Sequence, residues 1–161
     1  YAQFEAAQGD FGRFKELNGE AIALAREDGD YASAIVYEYN QAWVLRLMGH
    51  PEAAQKHMLL SIPKVLRINM PGVLVVVAEE YAVVLADLGD HPAAVRLLGA
   101  ADAMRQRQAT PRLPTQQAEI AEQVAKTHAA LNDQDWEAAY QAGRNTTVED
   151  ALRQAHAATS G

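Results

Sequence analysis

Five histidines, His50, His57, His91, His128 and His156, are the side chains best suited to hold a metal or move a proton near neutral pH. No two stand at the i, i+4 spacing that places two imidazoles on one helical face, and no H-E-x-x-H pattern occurs, so no metal ligand is assigned. His50 and His91 read as turn residues. The adjacent carboxylates Glu79 and Glu80 suggest an acid/base pair, but neighbours on a helix diverge by about 100° and cannot share a substrate. A solvated or groove-lining role is expected for them. Arg96, Arg105, Arg107 and Arg112 form a local basic stretch, read as a solvated face with helix-end cations or as docking against an acidic surface elsewhere in the parent protein. Asn145-Thr146-Thr147 is a glycosylation sequon by letter and reads as a helix cap. No G-x-x-x-x-G-K-[ST] phosphate loop is present. No catalytic residue and no cofactor is assigned.

The elements that must position these residues are helices. Of the 161 residues 49% are apolar and 22% charged, the composition of an ordinary globular chain. A formal net charge of -7 argues against this segment gripping a phosphate backbone. The chain has no cysteine, which excludes disulfides and thiolate chemistry and fits a cytoplasmic location. Its longest apolar run, Val73 to Ala78, is too short to span a bilayer, and residues 1–8 lack the pattern of a secretory leader. Opening on Tyr1 and stopping at Ser160-Gly161, the sequence reads as a fragment of a larger protein.

A turn recurs every 40 residues: Gly9-Asp10-Phe11, Gly49-His50-Pro51 and Gly89-Asp90-His91. A fixed period of this size indicates supersecondary units that lend their apolar faces to neighbours. Apolar steps of three and four predict helices at about 11–27, 31–48, 51–68, 72–88, 91–107, 115–131, 134–143 and 147–158, after a helix tail at about 1–8. Pro63 is expected to bend or break the helix that contains it. Val73-Leu74-Val75-Val76-Val77 is β-branched enough to be a short strand. The continuation through Tyr81, Leu85 and Leu88 favours helix. The same run supplies core or, if exposed, a self-association patch for a homodimer. Thr146 with Glu149 reads as a capping box opening the last helix. The loop Thr110 to Pro114 breaks the rhythm and marks 109–161 as a divergent cap on the repeats of 1–108.

Set on the turn glycines, the units resemble tetratricopeptide (TPR) repeats. Ala42, Ala54, Ala82 and Ala94 fall at that family's small positions and Leu45 and Leu85 at a large apolar one. The segment Ala94-Val95-Arg96-Leu97-Leu98-Gly99-Ala100-Ala101-Asp102-Ala103-Met104-Arg105 resembles a helix near the end of large bacterial signalling ATPases of the STAND class, often LuxR-type or SARP-type transcription factors. So do Trp136-Glu137-Ala138-Ala139-Tyr140-Gln141-Ala142-Gly143-Arg144 and Val148-Glu149-Asp150-Ala151-Leu152. The resemblance implies an all-α, TPR-like superhelix of stacked antiparallel hairpins, forming one domain over 1–161. It further implies a sensor or protein-interaction arm without enzymatic activity. Its partners would be a protein, or other domains of the parent regulator, or a small-molecule effector, without direct nucleic-acid or membrane contact. Transferred TPR geometry places Val36, Tyr39, Trp43, Arg46 and Leu47 on the concave groove from one unit, and Val76, Glu79, Val83, Ala86 and Asp87 from the next. Trp43 is read either as a recognition aromatic or as packing between repeats. A receptor pocket inside the superhelix and a stand-alone TPR adaptor are the alternatives.

Overall fold

The computed structural model describes residues 11–160, and among these it contains eight helices and no strand. They are α1 (Phe11–Glu27), α2 (Tyr31–Leu47), α3 (Pro51–Ile68), α4 (Pro71–Asp87), α5 (His91–Gln108), α6 (Pro114–Ala130), α7 (Asp133–Arg144) and α8 (Val148–Ser160). The expected helix tail at 1–8 and the turn at Gly9-Asp10 lie outside the described residues. The Val73–Val77 run is helical, as its continuation requires. It lies mostly in the core, with Leu74, Val75 and Val77 buried and Val73 and Val76 half-buried.

Helix termination sets the rhythm. Backbone φ turns positive at Gly29, Gly49, Asn69, Gly89 and Ala109, so a left-handed residue ends a helix every twenty positions. The 40-residue recurrence in the sequence is twice this unit, because Asn69 and Ala109 stand where glycines stand elsewhere. At Gly29 the amide of Asp30 donates to the Ala25 carbonyl at 2.8 Å and that of Gly29 to Arg26 at 3.2 Å. The same pair of bonds recurs after Gly49, Gly89 and Ala109. This Schellman pairing satisfies carbonyls that a helix end leaves open. The next helix is then capped: Asp30 Oδ1 accepts from the Ser33 amide at 3.1 Å and Asp90 Oδ1 from the Ala93 amide at 3.2 Å. Pro51 and Pro71 open α3 and α4, where a missing N–H costs nothing.

Two expectations need correction. Of the expected bend or break at Pro63, the break does not occur: α3 runs through it from Pro51 to Ile68, and the ring is exposed. The last helix is capped one residue later than expected. Thr147 Oγ1 accepts from the Asp150 amide at 3.1 Å, while the Thr146 hydroxyl donates back to the Ala142 carbonyl at 2.8 Å.

The chain divides into two compact units, with the division between Ile68 and Asn69. In the first, α2 packs against both α1 and α3. Phe14 and Val44 form a small core with Phe11 and Trp43 against it, while Ala54, Met58, Ile62 and Val65 are buried along α3. Asn18, fully buried, ties α1 to α2 by donating to the Tyr37 carbonyl and to Gln41 Oε1, both at 2.9 Å. The four alanines expected at small positions of the repeats, Ala42, Ala54, Ala82 and Ala94, are all buried. In the second unit α5 is the central helix, covered by α4 and α7 and touched by α6 and α8.

The α5–α7 crossing is a close backbone approach. A Cβ placed on Gly99 would lie 2.3 Å from the Tyr140 carbonyl oxygen, and one on Gly143 would lie 2.1 Å from that of Arg96. Only hydrogen at both positions allows these backbones to approach. The two glycines lie in the segments 94–105 and 136–144, which are thus the two sides of one helix crossing.

Candidate functional site

The residues expected to line a groove divide by unit. On α2, Val36, Tyr39, Trp43 and Arg46 are all half-buried, and Leu47 is exposed. Trp43 meets Phe14 edge to face, with ring centroids 6.4 Å apart and planes at 64°. It is therefore partly packing and partly accessible. On α4 the expectation fails for Glu79, Val83 and Ala86, which are buried. Val83 and Ala86 are each 1% exposed and Glu79 5%. Asp87 is engaged by Lys126 Nζ at 2.5 Å, and Val76 is half-buried. The cause is the carboxyl-terminal cap: α6 and α8 fold onto α4 in addition to α5, covering the face that an open repeat would leave concave.

Glu79 is the anchor of a buried ionic network rather than a groove residue. Arg105 binds it through two parallel bonds, Nε to Oε1 at 2.6 Å and Nη2 to Oε2 at 2.7 Å, and Arg112 Nε adds a third to Oε1 at 2.8 Å. Arg112 continues to Asp102 Oδ1, whose other oxygen accepts from the Tyr140 hydroxyl at 2.7 Å. Arg105 also donates to the Thr110 carbonyl at 3.1 Å. The network thus joins α4, α5, the loop after α5 and α7. Hydrogen bonding to Glu79 raises the Arg105 pKa, overcoming the opposing effect of burial. Burial, together with the bond to Asp102, pushes the Tyr140 phenol up. Arg105 and Arg112 are consequently not the solvated basic face expected of them; only Arg96 and Arg107 of that stretch are exposed. The reason is non-local: Glu79 lies 26 residues before Arg105 in sequence and becomes its partner only through α4–α5 packing.

Aromatic stacking extends the same region. His128 stacks on Trp136 at 4.0 Å, Trp136 on Tyr140 at 4.9 Å, and the Arg144 guanidinium lies 5.9 Å from the Tyr140 ring centroid. Trp136 Nε1 donates to Thr127 Oγ1 at 3.0 Å, so its buried N–H is satisfied. Each charged group of the network has its partners. The cluster is built to hold helices together.

The first unit has a pocket of a different kind, missed by sequence reasoning. It lies where the end of α1, the start of α2 and the end of α3 meet, and has a volume of ≈ 590 Å³. The buried Ala34 and Ile35 line it together with Tyr31, which is 66% exposed. Arg26 Nη2 and Lys64 Nζ each reach Glu38 at 2.6 Å, one on each carboxylate oxygen. Burial works to raise the Glu38 pKa, but the bonds from Lys64 and Arg26 prevail and hold it below the ordinary value. Arg67 also lines the pocket and has no ion-pair partner among the described residues. No sequence signal joins residues 26, 64 and 67, which come from two helices and meet only at their carboxyl-terminal ends. The chain matches no protein-family model, no curated protein and no solved structure.

Proposed function

We propose that this chain is a binding arm, a protein-interaction or sensor module of a bacterial transcriptional regulator. The supporting observation is the α5–α7 crossing. The segments that resemble the regulator arm meet through Gly99 and Gly143, and Asp102 of one segment accepts from Tyr140 of the other. Letter patterns that meet in this way have a shared structural reason to occur together. Partner recognition is assigned to α2, where Val36, Tyr39, Trp43 and Arg46 retain partial access. An aromatic pair beside a guanidinium suits recognition, since such side chains give large contact area at low entropy cost. Binding there would shift the parent between states through differential affinity.

The test uses Trp43→Ala in the natural gene. Half-buried against Phe14, Trp43 should cost about 2 kcal/mol on truncation, below the ~3–5 kcal/mol of a fully buried aromatic. Transcriptional output should change while the protein remains folded and abundant. Unaltered output, or a stability loss of the full core magnitude, would retire this role for α2.

A further inference from the structure

We propose that the pocket of the first unit is a binding site for a small phosphate monoester carrying a planar ring, the chemistry of a nucleoside monophosphate. The inference goes beyond the reading above and does not depend on it, because it concerns direct binding by this chain whatever its parent. Three cations and one carboxylate surround the pocket, a local charge of +2 (3 − 1) within a chain whose formal net charge is -7. Glu38 takes one bond from Arg26 and one from Lys64, while Arg67 has no ion-pair partner among the described residues. A guanidinium offers five N–H donors and an ammonium three, so most donors at the pocket remain available to a ligand.

A phosphate monoester matches this arrangement in charge and shape. It carries about two negative charges at neutral pH and three acceptor oxygens, enough to bridge Arg26, Lys64 and Arg67 while Glu38 keeps its own bonds. The ring follows from Tyr31. A large, exposed aromatic lining a basic pocket beside the apolar Ala34 and Ile35 offers a face for stacking. The pocket volume of ≈ 590 Å³ leaves room for base and sugar beyond the phosphate.

Isothermal titration of the full chain with AMP, inorganic phosphate, adenosine and succinate tests the assignment. AMP should bind, phosphate more weakly, adenosine and succinate more weakly still, and added salt should lower the AMP affinity. Arg67→Gln should reduce AMP affinity at least tenfold. Tyr31→Ala should weaken AMP severalfold and leave phosphate unchanged. Both side chains lie at the surface, and circular dichroism should show the variants folded. No AMP binding at millimolar concentration, succinate binding more tightly than AMP, or an Arg67→Gln variant of unchanged affinity would overturn the proposal. Equal binding of AMP and phosphate with a silent Tyr31→Ala would overturn the ring assignment.

Discussion

Replacing Gly143 by Ala adds one methyl group where the structure has no space for it. The new Cβ would lie 2.1 Å from the Arg96 carbonyl oxygen, against 3.4 Å for ordinary contact, a deficit of 1.3 Å (3.4 − 2.1). At Gly99 the deficit is 1.1 Å (3.4 − 2.3), against the Tyr140 oxygen. Both obstructing atoms are backbone oxygens within helices and cannot rotate aside, so α5 and α7 must part by about an ångström. That opens the packing of Val95 against Trp136 and Ala139 and stretches the Tyr140–Asp102 bond. Overpacking of this kind costs roughly 1–3 kcal/mol, and the upper end applies where nothing flexible can yield. Alanine's better helix propensity returns about 1 kcal/mol. The expected net loss is about 2 kcal/mol for either variant. Gly19 is the internal control: it is also helical, but a Cβ there meets nothing within 4 Å. Gly19→Ala should therefore stabilise by up to about 1 kcal/mol. Urea unfolding followed by circular dichroism, with unchanged slopes, reads all three. If Gly143→Ala proves as stable as the parent chain, the close crossing is wrong.

Glu79→Gln preserves shape but removes the charge that Arg105 and Arg112 share in the interior, so stability should fall by roughly 3 kcal/mol in the same assay. A loss below 1 kcal/mol would mean the guanidinia are solvated. Ala109→Gly relieves a non-glycine residue at φ 52° and should raise stability by about 0.5–1 kcal/mol. A loss there would argue against the left-handed turn. Glu38 has its folded pKa below the ordinary 4.5, so the unfolded chain binds more protons through that window and stability falls with acidification. The Glu38 contribution is complete above pH 4.5 and lost as pH drops through the folded value. The stability gap between wild type and Glu38→Gln should therefore narrow on moving from pH 6 to about pH 3; a gap that stays constant or widens rules this out.

Local features carried much of the fold. Turn glycines with proline or histidine after them, alanines at repeat spacing and apolar steps of three and four located the helices, including the β-branched segment that became α4. The twenty-residue unit was hidden because Asn69 and Ala109 adopt a conformation that glycine advertises and they do not. The fate of Glu79 was hidden for a different reason. Whether a carboxylate lies in a groove or beneath two guanidinia depends on how α6 and α8 cover α4, and that is long-range packing without a local signature. The basic pocket is illegible for the same cause, since Arg26, Lys64 and Arg67 become neighbours only when helix ends meet. Trp43 stood between recognition and packing on sequence alone, and the structure sets its half-buried ring edge to face against Phe14.

The most direct test of the binding-arm reading is RNA sequencing of the natural host with residues 11–160 removed in frame, normalised to the abundance of the shortened protein. If the segment senses or docks on behalf of a regulator, a defined set of transcripts should rise or fall while abundance holds. A transcript profile indistinguishable from wild type at equal protein abundance would contradict the account.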